Sequence, residues 1–433
     1  MAYLPNIIFL FVLVAGVGFF IRNIRRLKTI IGLGKDIDLS DNKSQRWKNM
    51  TRIALGQSKM GKRPVAALLH LIVYVGFIII NIEVVEIIID GIFGTHRIFS
   101  GIGPAYGLLI GVFEVFAVLV FVSVVLFWIR RNIIRLKRFW SAEMTNWPKN
   151  DANNILYFEM ILMGLFLVMN ATDLPFQEMG SGNWISQFIA PWFSNLSPET
   201  LHIIERSAWW AHIVGIFGFL NYLYYSKHLH ILLAFPNTYY GSLEPLGQFD
   251  NLESVKKEVQ LMMDPNADPF AAPAEDEAEP EKFGASDVTD LNWIQLLNAY
   301  TCTECGRCTS ECPANQTGKK LSPRKIMMDT RDRLEERGKS AIVNNGIPVD
   351  DGKQLLDDYI TREELWACTS CNACVEACPV SINPLSIIMD MRRYLVMEQS
   401  AAPSELNNMM QNIENNGAPW PYNQMDRLNW TNE

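Results

Sequence analysis

All eight cysteines of this chain lie in two short runs of the same spacing. The runs are CTECGRCTSECP, which begins at Cys302, and CTSCNACVEACP, which begins at Cys368. Both follow the pattern C-x2-C-x2-C-x3-C-P, in which three cysteines bind one [4Fe–4S] cluster and the fourth binds a second. The sequence therefore predicts two [4Fe–4S] clusters in one polypeptide.

The same spacing predicts how the two clusters share their ligands. The first three cysteines of a run wrap one cluster, and the proline turns the chain so that the fourth reaches the other. One cluster should bind Cys302, Cys305, Cys308 and Cys378, and the other Cys368, Cys371, Cys374 and Cys312. Zinc is the alternative, but zinc sites use two separated pairs of ligands, and a disulfide framework would scatter its cysteines.

Long apolar segments fill the first half of the chain. Hydrophobic residues make up 49 % of the 433 residues, and nearly all the long apolar runs precede residue 236. Five segments are long enough to cross a bilayer, near 4–22, 64–90, 104–129, 154–172 and 205–232. The first has no basic start and ends in several basic residues, so we interpret it as an uncleaved anchor.

The distribution of lysine and arginine predicts the orientation of these segments. The loops after the first and third segments are rich in both residues, whereas the opposite loops contain few. Basic loops stay on the cytoplasmic side, so we expect the N-terminus outside and residues 233–433 in the cytoplasm. We predict a multi-pass protein of a bacterial inner membrane, and the net charge of −8 argues against nucleic-acid binding.

Three histidines, His70, His212 and His230, fall within or at the ends of the predicted spans. The 18 residues from His212 to His230 amount to five helical turns, which predicts one shared helix face with the two rings at opposite depths. His70 lies near the predicted depth of His230, and two such imidazoles could bind a haem b iron axially. A hydrogen bond to a neighbouring helix is the alternative role. His212 has no equally clear partner, so a second haem would have to be five-coordinate or use His96 or His202.

Carboxylates also enter the predicted spans. Glu83, Glu86 and Asp90 share one face of the second segment, while Glu114 and Glu159 lie in the third and fourth. Intramembrane carboxylates could carry protons to a quinone. For the second segment, we favour the simpler interpretation that its outer carboxylates face the water interface.

The remaining sequence divides the chain into four parts. We expect a transmembrane domain over 1–235, a cytoplasmic segment with an acidic Pro/Ala-rich tether over 236–282, a helical two-cluster domain over 283–400, and a tail over 401–433. Capping residues such as Ser322 before Pro323 predict helices around the cysteine runs. The tail is a candidate for partner docking, with a disordered end as the alternative.

Two stretches carry a family resemblance: LNWIQLLNAYTCTECGRCTSECPANQTGKKLSP and WWAHIVGIFGFLNYLYYSKHLHILLAFPN. They resemble the membrane-bound Fe–S oxidoreductases related to heterodisulfide reductase, and the membrane half is similar to the nitrate reductase gamma (cytochrome b) family. In that cytochrome family, two histidines on the second span and two on the fifth bind two haems b. His70, His212 and His230 match three of these positions, and the fourth is not histidine.

The resemblance implies an all-α fold, with a five-helix transmembrane bundle followed by a cytoplasmic helical two-[4Fe–4S] ferredoxin domain. It also implies an electron-transfer subunit of a membrane quinone oxidoreductase that uses the clusters and haem b to exchange electrons with menaquinone. Longer relatives continue into cysteine-rich CCG domains, so we expect a CCG-domain Fe–S subunit as partner, and electron-transfer flavoprotein as a further one. A thiol or heterodisulfide reductase and a non-redox membrane scaffold are the alternatives.

Overall fold

The structure is a computed structural model that describes residues 3–265 and 282–432. Most of these residues are helical, and no β-strand occurs among them. The helical fold expected from the sequence is therefore confirmed. The predicted acidic tether lies almost entirely outside the described residues.

The first half of the chain is built from helices that differ widely in length. Their bounds are α1 Leu4–Ile31, α2 Lys43–Met50, α3 Pro64–Phe93, α4 Pro104–Asn132, α5 Trp147–Thr172, α6 Leu174–Glu178, α7 Ser186–Ile189, α8 Pro198–Tyr222 and α9 His230–Tyr239. Prolines stand in the first turn of α1, α3, α4, α5 and α8, where a missing backbone N–H costs nothing.

Four of these helices, α1, α3, α4 and α5, are long and apolar enough to cross a membrane. Helix α8 has 25 residues but is not in this group, and its first half contains Glu199, Glu205 and Arg206. It nevertheless closes a ring, because α1 packs on α3, α3 on α4, α4 on α5, α5 on α8, and α8 on α1. The ring supplies a common interior for the side chains discussed below.

The expectation that one helix spans 205–232 is wrong, because α8 ends at Tyr222. Two short 3₁₀ turns follow, and His230 begins a separate helix. The carboxylate of Asp151 accepts hydrogen bonds from the Tyr222 hydroxyl (2.7 Å) and from the backbone N–H of Lys227 (3.1 Å). These bonds from α5 hold the chain in a turn, so His212 and His230 do not share one helix face.

The second half is a compact set of shorter helices. They are α10 Glu253–Met263, α11 Trp293–Thr301, α12 Arg307–Glu311, α13 Pro313–Gln316, α14 Pro323–Val343, α15 Leu355–Asp358, α16 Arg362–Trp366, α17 Ala373–Ala377, α18 Pro384–Met397 and α19 Ser404–Asn416. Ser322, Thr361 and Asn383 cap helices as their sequences predict, because each side chain accepts the backbone N–H three residues later.

The two halves share one hydrophobic core. Leu27 and Ile30 at the end of α1, and Leu229 after α8, pack with buried residues of the second half such as Leu296. The backbone adds a direct connection, since the N–H of Lys35 donates to the carbonyl of Leu291 at 2.8 Å. The cysteine-containing half is therefore fixed against one end of the helical ring.

A close helix contact at this junction depends on a glycine. A Cβ atom on Gly338 of α14 would lie 2.6 Å from a side-chain carbon of Ile30 on α1, well inside van der Waals contact. Any larger side chain must push the two helices apart, because protein interiors leave little free space.

We predict that Gly338→Leu lowers the free energy of unfolding by about 1–3 kcal/mol, as expected for an overpacked contact. Thermal unfolding of the purified chain, followed by circular dichroism, measures the effect. Gly18→Leu is the matched control, because a Cβ at helical Gly18 meets no atom within 4 Å. Equal midpoints for the two variants would show that the α1–α14 contact does not support the junction.

Candidate redox site

The two cysteine runs adopt the same unusual backbone conformation. Glu304 and Ser370, which precede the second cysteine of each run, have φ of 54° and 55°. Gly306 and Asn372, which follow that cysteine, have φ of 69° and 60°. Left-handed conformations cost non-glycine residues on the order of 1–3 kcal/mol and occur often at functional sites. The paired loops then enter α12 and α17, which pack on each other.

The eight thiols are free and fall into two neighbouring groups. Cys302, Cys305 and Cys378 lie within electrostatic reach of Cys308. The second group forms in the same way, with Cys368, Cys312 and Cys371 close to Cys374. Each group thus joins three cysteines of one run to the fourth of the other. The groups meet where Cys308 approaches Cys374.

The environment of the thiols suits soft metal ligands. Burial raises the pKa of Cys302 to about 12 and that of Cys378 to about 11, so both stay protonated until a metal displaces the proton. Backbone N–H groups already point at sulfur: Ser370 donates to Cys368 Sγ at 3.4 Å, and Ile382 to Cys378 Sγ at 3.3 Å. Two sets of four thiols with N–H donors fit two [4Fe–4S] clusters.

The two ends of this arrangement differ in exposure. Cys371 is exposed, whereas Cys302 and Cys378 are buried, and Lys59 from the loop before α3 acts electrostatically on Cys378. A cubane in the second group would lie next to solvent, and one in the first group would lie next to the ring. The arrangement thus runs from the solvent surface toward the membrane half.

His70 on α3 and His230 at the start of α9 face each other at the adjacent end of the ring. Their ring centroids are 6.5 Å apart, with the ring planes at 43°. A metal between two imidazoles, with bonds of about 2 Å and about 1.2 Å from nitrogen to ring centre, requires roughly 6.4 Å. His230 Nδ1 is 3.1 Å from the carbonyl oxygen of Lys227, which is the usual outer contact of a metal-bound histidine.

His70 supplies a second indication that the two histidines could bind a further group. Its Nδ1 is buried and has no hydrogen-bond partner. A buried ring nitrogen without a partner is available to a metal or another ligand. His70 and His230 could therefore hold a haem iron between them, which would supply a one-electron carrier at this end of the ring.

His212 lies apart from that pair. Its Nδ1 is 3.0 Å from the carbonyl oxygen of Leu162, and the ring packs against Phe166. It lines a small, mostly apolar cavity of about 110 Å³, together with Asn81 and Glu159. Among the described residues, no second histidine lines this cavity. The structure therefore does not bring His212 to another imidazole.

Basic residues that the sequence analysis did not single out surround the first cysteine group. Arg138 and Arg307 act electrostatically on Cys305, and Lys59 on Cys378. Arg307 donates to the carbonyl of Lys59 at 3.3 Å, and its charge also reaches His70. These cations would stabilise the negative charge of a reduced cluster. Lys59 and Arg138 lie far from the cysteine runs in the sequence, so no local pattern pointed to them.

Lys227 connects the cysteine loop to the candidate haem ligand. Its ammonium group pairs with Glu304 inside the first run and lies 3.8 Å from Asp151 on α5. Glu304 also accepts a hydrogen bond from Arg331 at 2.9 Å. Lys227 also contacts His230, through its backbone carbonyl oxygen. The side chains of Lys227 and Glu304 are 9 % and 2 % exposed, so the pair is shielded from water.

Comparison with protein families identifies part of this site. The family described as "4Fe-4S dicluster domain" matches residues 301–382, which include both cysteine runs. A 4Fe–4S dicluster domain is thus present. No solved structure gives a significant match to the chain.

Curated relatives match much more of the chain. It is 28 % identical to the "Probable iron-sulfur-binding oxidoreductase FadF" of Bacillus subtilis, over 99 % of this chain and 61 % of that protein. It is 25 % identical to the "EtfAB:quinone oxidoreductase" of Syntrophomonas wolfei, over 92 % of this chain and 55 % of that protein. A "Probable membrane-anchored ferredoxin" of Chromohalobacter salexigens is 32 % identical, over 34 % of this chain and 24 % of that protein.

The homologues of this chain are thus iron–sulfur oxidoreductases, and subunits of heterodisulfide reductases are among them. This agrees with the first part of the resemblance drawn from the sequence. The nitrate reductase gamma-like part of that resemblance finds no counterpart in these matches. The chain spans 61 % and 55 % of the first two relatives, so their whole activities do not transfer to it directly.

We predict that Lys227→Met lowers the free energy of unfolding by about 1–3 kcal/mol, because Glu304 and Asp151 stay buried without their shared cation. Chemical denaturation of the purified chain measures this loss. Lys256→Met is the control, since Lys256 pairs with Glu253 on the exposed surface of α10. Its substitution should lower the free energy of unfolding by less than about 1 kcal/mol. Adding Glu304→Gln to Lys227→Met should recover part of the loss; strictly additive effects would contradict the pairing.

Proposed function

We propose that this chain carries electrons between a soluble redox protein and a quinone in the membrane. The observation that carries the proposal is one junction: the loop of the first cysteine run packs against the end of the ring where His70 and His230 face each other. Homology to iron–sulfur oxidoreductases supports the redox part, and a relative named as a quinone oxidoreductase supports the quinone.

The proposed route follows the exposure of the ligands. Cys371, at the solvent surface, marks the entrance for electrons from a soluble partner. Cys308 and Cys374 line the same cavity within electrostatic reach of each other, which joins the two cysteine groups, and the charge of Arg307 reaches both Cys305 and His70. Two [4Fe–4S] clusters and haem b would each supply a reversible one-electron carrier when bound. The chain itself fixes their spacing, their burial and the charges around them.

The contacts at the junction also support an orientation in the membrane. Lys62 pairs with Glu376 (2.6 Å) and Arg63 with Glu311 (3.1 Å), so the basic loop after α2 lies beside the cysteine-containing half. Basic loops remain on the cytoplasmic side of a bacterial inner membrane. We therefore place the clusters in the cytoplasm, with α8 as a fifth span beside the four apolar helices.

The proposed partners of this chain are chosen from its redox chemistry and from the names of its relatives. The name of the second relative points to electron-transfer flavoprotein as the soluble donor or acceptor, and we propose menaquinone as the lipid-soluble one. A CCG-domain iron–sulfur subunit is the further partner that we expect. The tail after α18 offers a docking surface, because Trp420, Tyr422 and Trp430 are all exposed.

We predict that the anaerobically purified chain contains about eight cluster irons with equivalent labile sulfide. It should also contain haem b, measured by a pyridine haemochrome assay. Cys371→Ser should lower the cluster iron by about four atoms per chain and leave the haem in place. A chain with zinc alone, or with no metal, would contradict the proposed function.

His230→Ala should remove the haem at the ring end and spare the cluster iron, because the haem loses an axial ligand. His202→Ala is the matched control, since its side chain is 74 % exposed. The haem spectrum and the iron content of both variants provide the measurement. Full haem retention in His230→Ala would show that His230 is not a ligand.

A further inference from the structure

A second feature of the membrane half lies at the end of the ring opposite to His70 and His230. A cavity of about 450 Å³ opens there between α1, α3 and α8 and the loop after α3. Its volume falls within the range of small-molecule sites, about 300–1,000 Å³. Neither the cysteines nor the facing histidines His70 and His230 line it.

One wall of the cavity is polar, and most of its groups are already committed. Glu86 accepts hydrogen bonds from the backbone N–H of Phe99 (2.8 Å) and the hydroxyl of Tyr106 (3.1 Å). Arg97 donates to Asp173 at 2.8 Å. Glu83 differs, because its Oε2 is buried and has no hydrogen-bond partner.

Glu83 is therefore the group of this wall that is available to a ligand. Glu83 is only 3 % exposed, and it lines the cavity. Burying a carboxyl oxygen without a partner is costly, and ionisable groups at such depth usually serve function. The sequence-based expectation that the outer carboxylates face the water interface is thus wrong for Glu83 and Glu86, which are both buried.

The other wall is aromatic. Phe9 lies 5.5 Å from Trp209 and 6.1 Å from Trp210, measured between ring centroids, and all three line the cavity. Aromatic surfaces of this kind stack against flat rings. A flat ring with polar oxygens at its edge would match both walls at once.

We infer that this cavity binds the ring of the quinone, with the Glu83 carboxyl donating to one quinone oxygen. The inference rests on the proposed function, whose substrate it places at a site. Reduction of a quinone to a quinol takes up two electrons and two protons. The electrons come from the reduced iron–sulfur clusters by way of the one-electron carrier that His70 and His230 would hold in the proposed function. Glu83 gives one proton to a quinone oxygen and recovers it from water at the open end, and water supplies the second.

A divalent cation is a weaker alternative for this cavity. His96, Asp173 and Glu205 bring one ligand atom each within 4.8 Å of the others. However, Asp173 is paired with Arg97, and Glu205 with Arg206. A cation would have to compete with both arginines for these carboxylates.

The location can be tested by photolabelling the full chain in detergent with a short-tailed azido-naphthoquinone. We expect labelled peptides from 5–9, 86–97 or 205–210, with protection by an excess of unlabelled naphthoquinone. Label confined to other segments would overturn the site, while quinone reduction by the same preparation would leave the proposed function intact. If the unmodified chain neither reduces quinone nor binds the probe, both proposals fail.

The role of Glu83 can be tested by Glu83→Gln with a reduced viologen as electron donor. We expect quinone turnover to fall about a hundredfold, with little change in probe labelling and in cluster iron, because only a proton donor is lost. Glu178→Gln, at an exposed carboxylate at the end of α6 outside the cavity, is the matched control. Turnover of Glu83→Gln equal to that of the control would overturn the role of Glu83.

Discussion

A buried ion pair, between Lys227 and Glu304, holds the two halves of this molecule in register. Removing two charges from water is expensive, and a buried pair persists only where further hydrogen bonds satisfy it. Arg331 and Asp151 provide those contacts from either side. Because Glu304 lies within the first cysteine run and Lys227 contacts His230, the pair fixes the separation of the candidate cluster and haem sites. Their spacing is thus a property of the fold rather than of a flexible tether.

These contacts explain why the chain turns after α8. A continuous helix through residue 232 would carry His230 along the face of His212. The turn at Lys227 instead swings His230 toward His70 and presents an ammonium group to the cysteine loop. The bonds from Asp151 that stabilise this turn replace part of the helical hydrogen bonding that it forfeits. One short segment thereby contacts both candidate redox sites.

The sequence was informative where function depends on local spacing. The cysteine runs could be interpreted directly because each cluster loop is contiguous, and the four apolar helices because burial in lipid requires long apolar runs. The turn after Tyr222 could not be predicted, since its cause is Asp151, 71 residues earlier in the chain. The pairing of Lys227 with Glu304 and the isolation of Glu83 likewise depend on tertiary contacts that no periodicity encodes. The pairing of His70 with His230 was expected, although the geometric reasoning for it assumed a helix that does not exist.

We propose that electrons reach the ring end through the first cysteine group. Flash reduction of the chain by a soluble photodonor, followed in the haem Soret band, tests this directly in the unmodified chain and in Cys305→Ser. We expect a fast phase of haem reduction in the unmodified chain and its loss in Cys305→Ser, although that variant should keep its haem. A fast phase of equal rate and amplitude in both proteins would contradict this route, because electrons would then bypass the cluster beside His70 and His230.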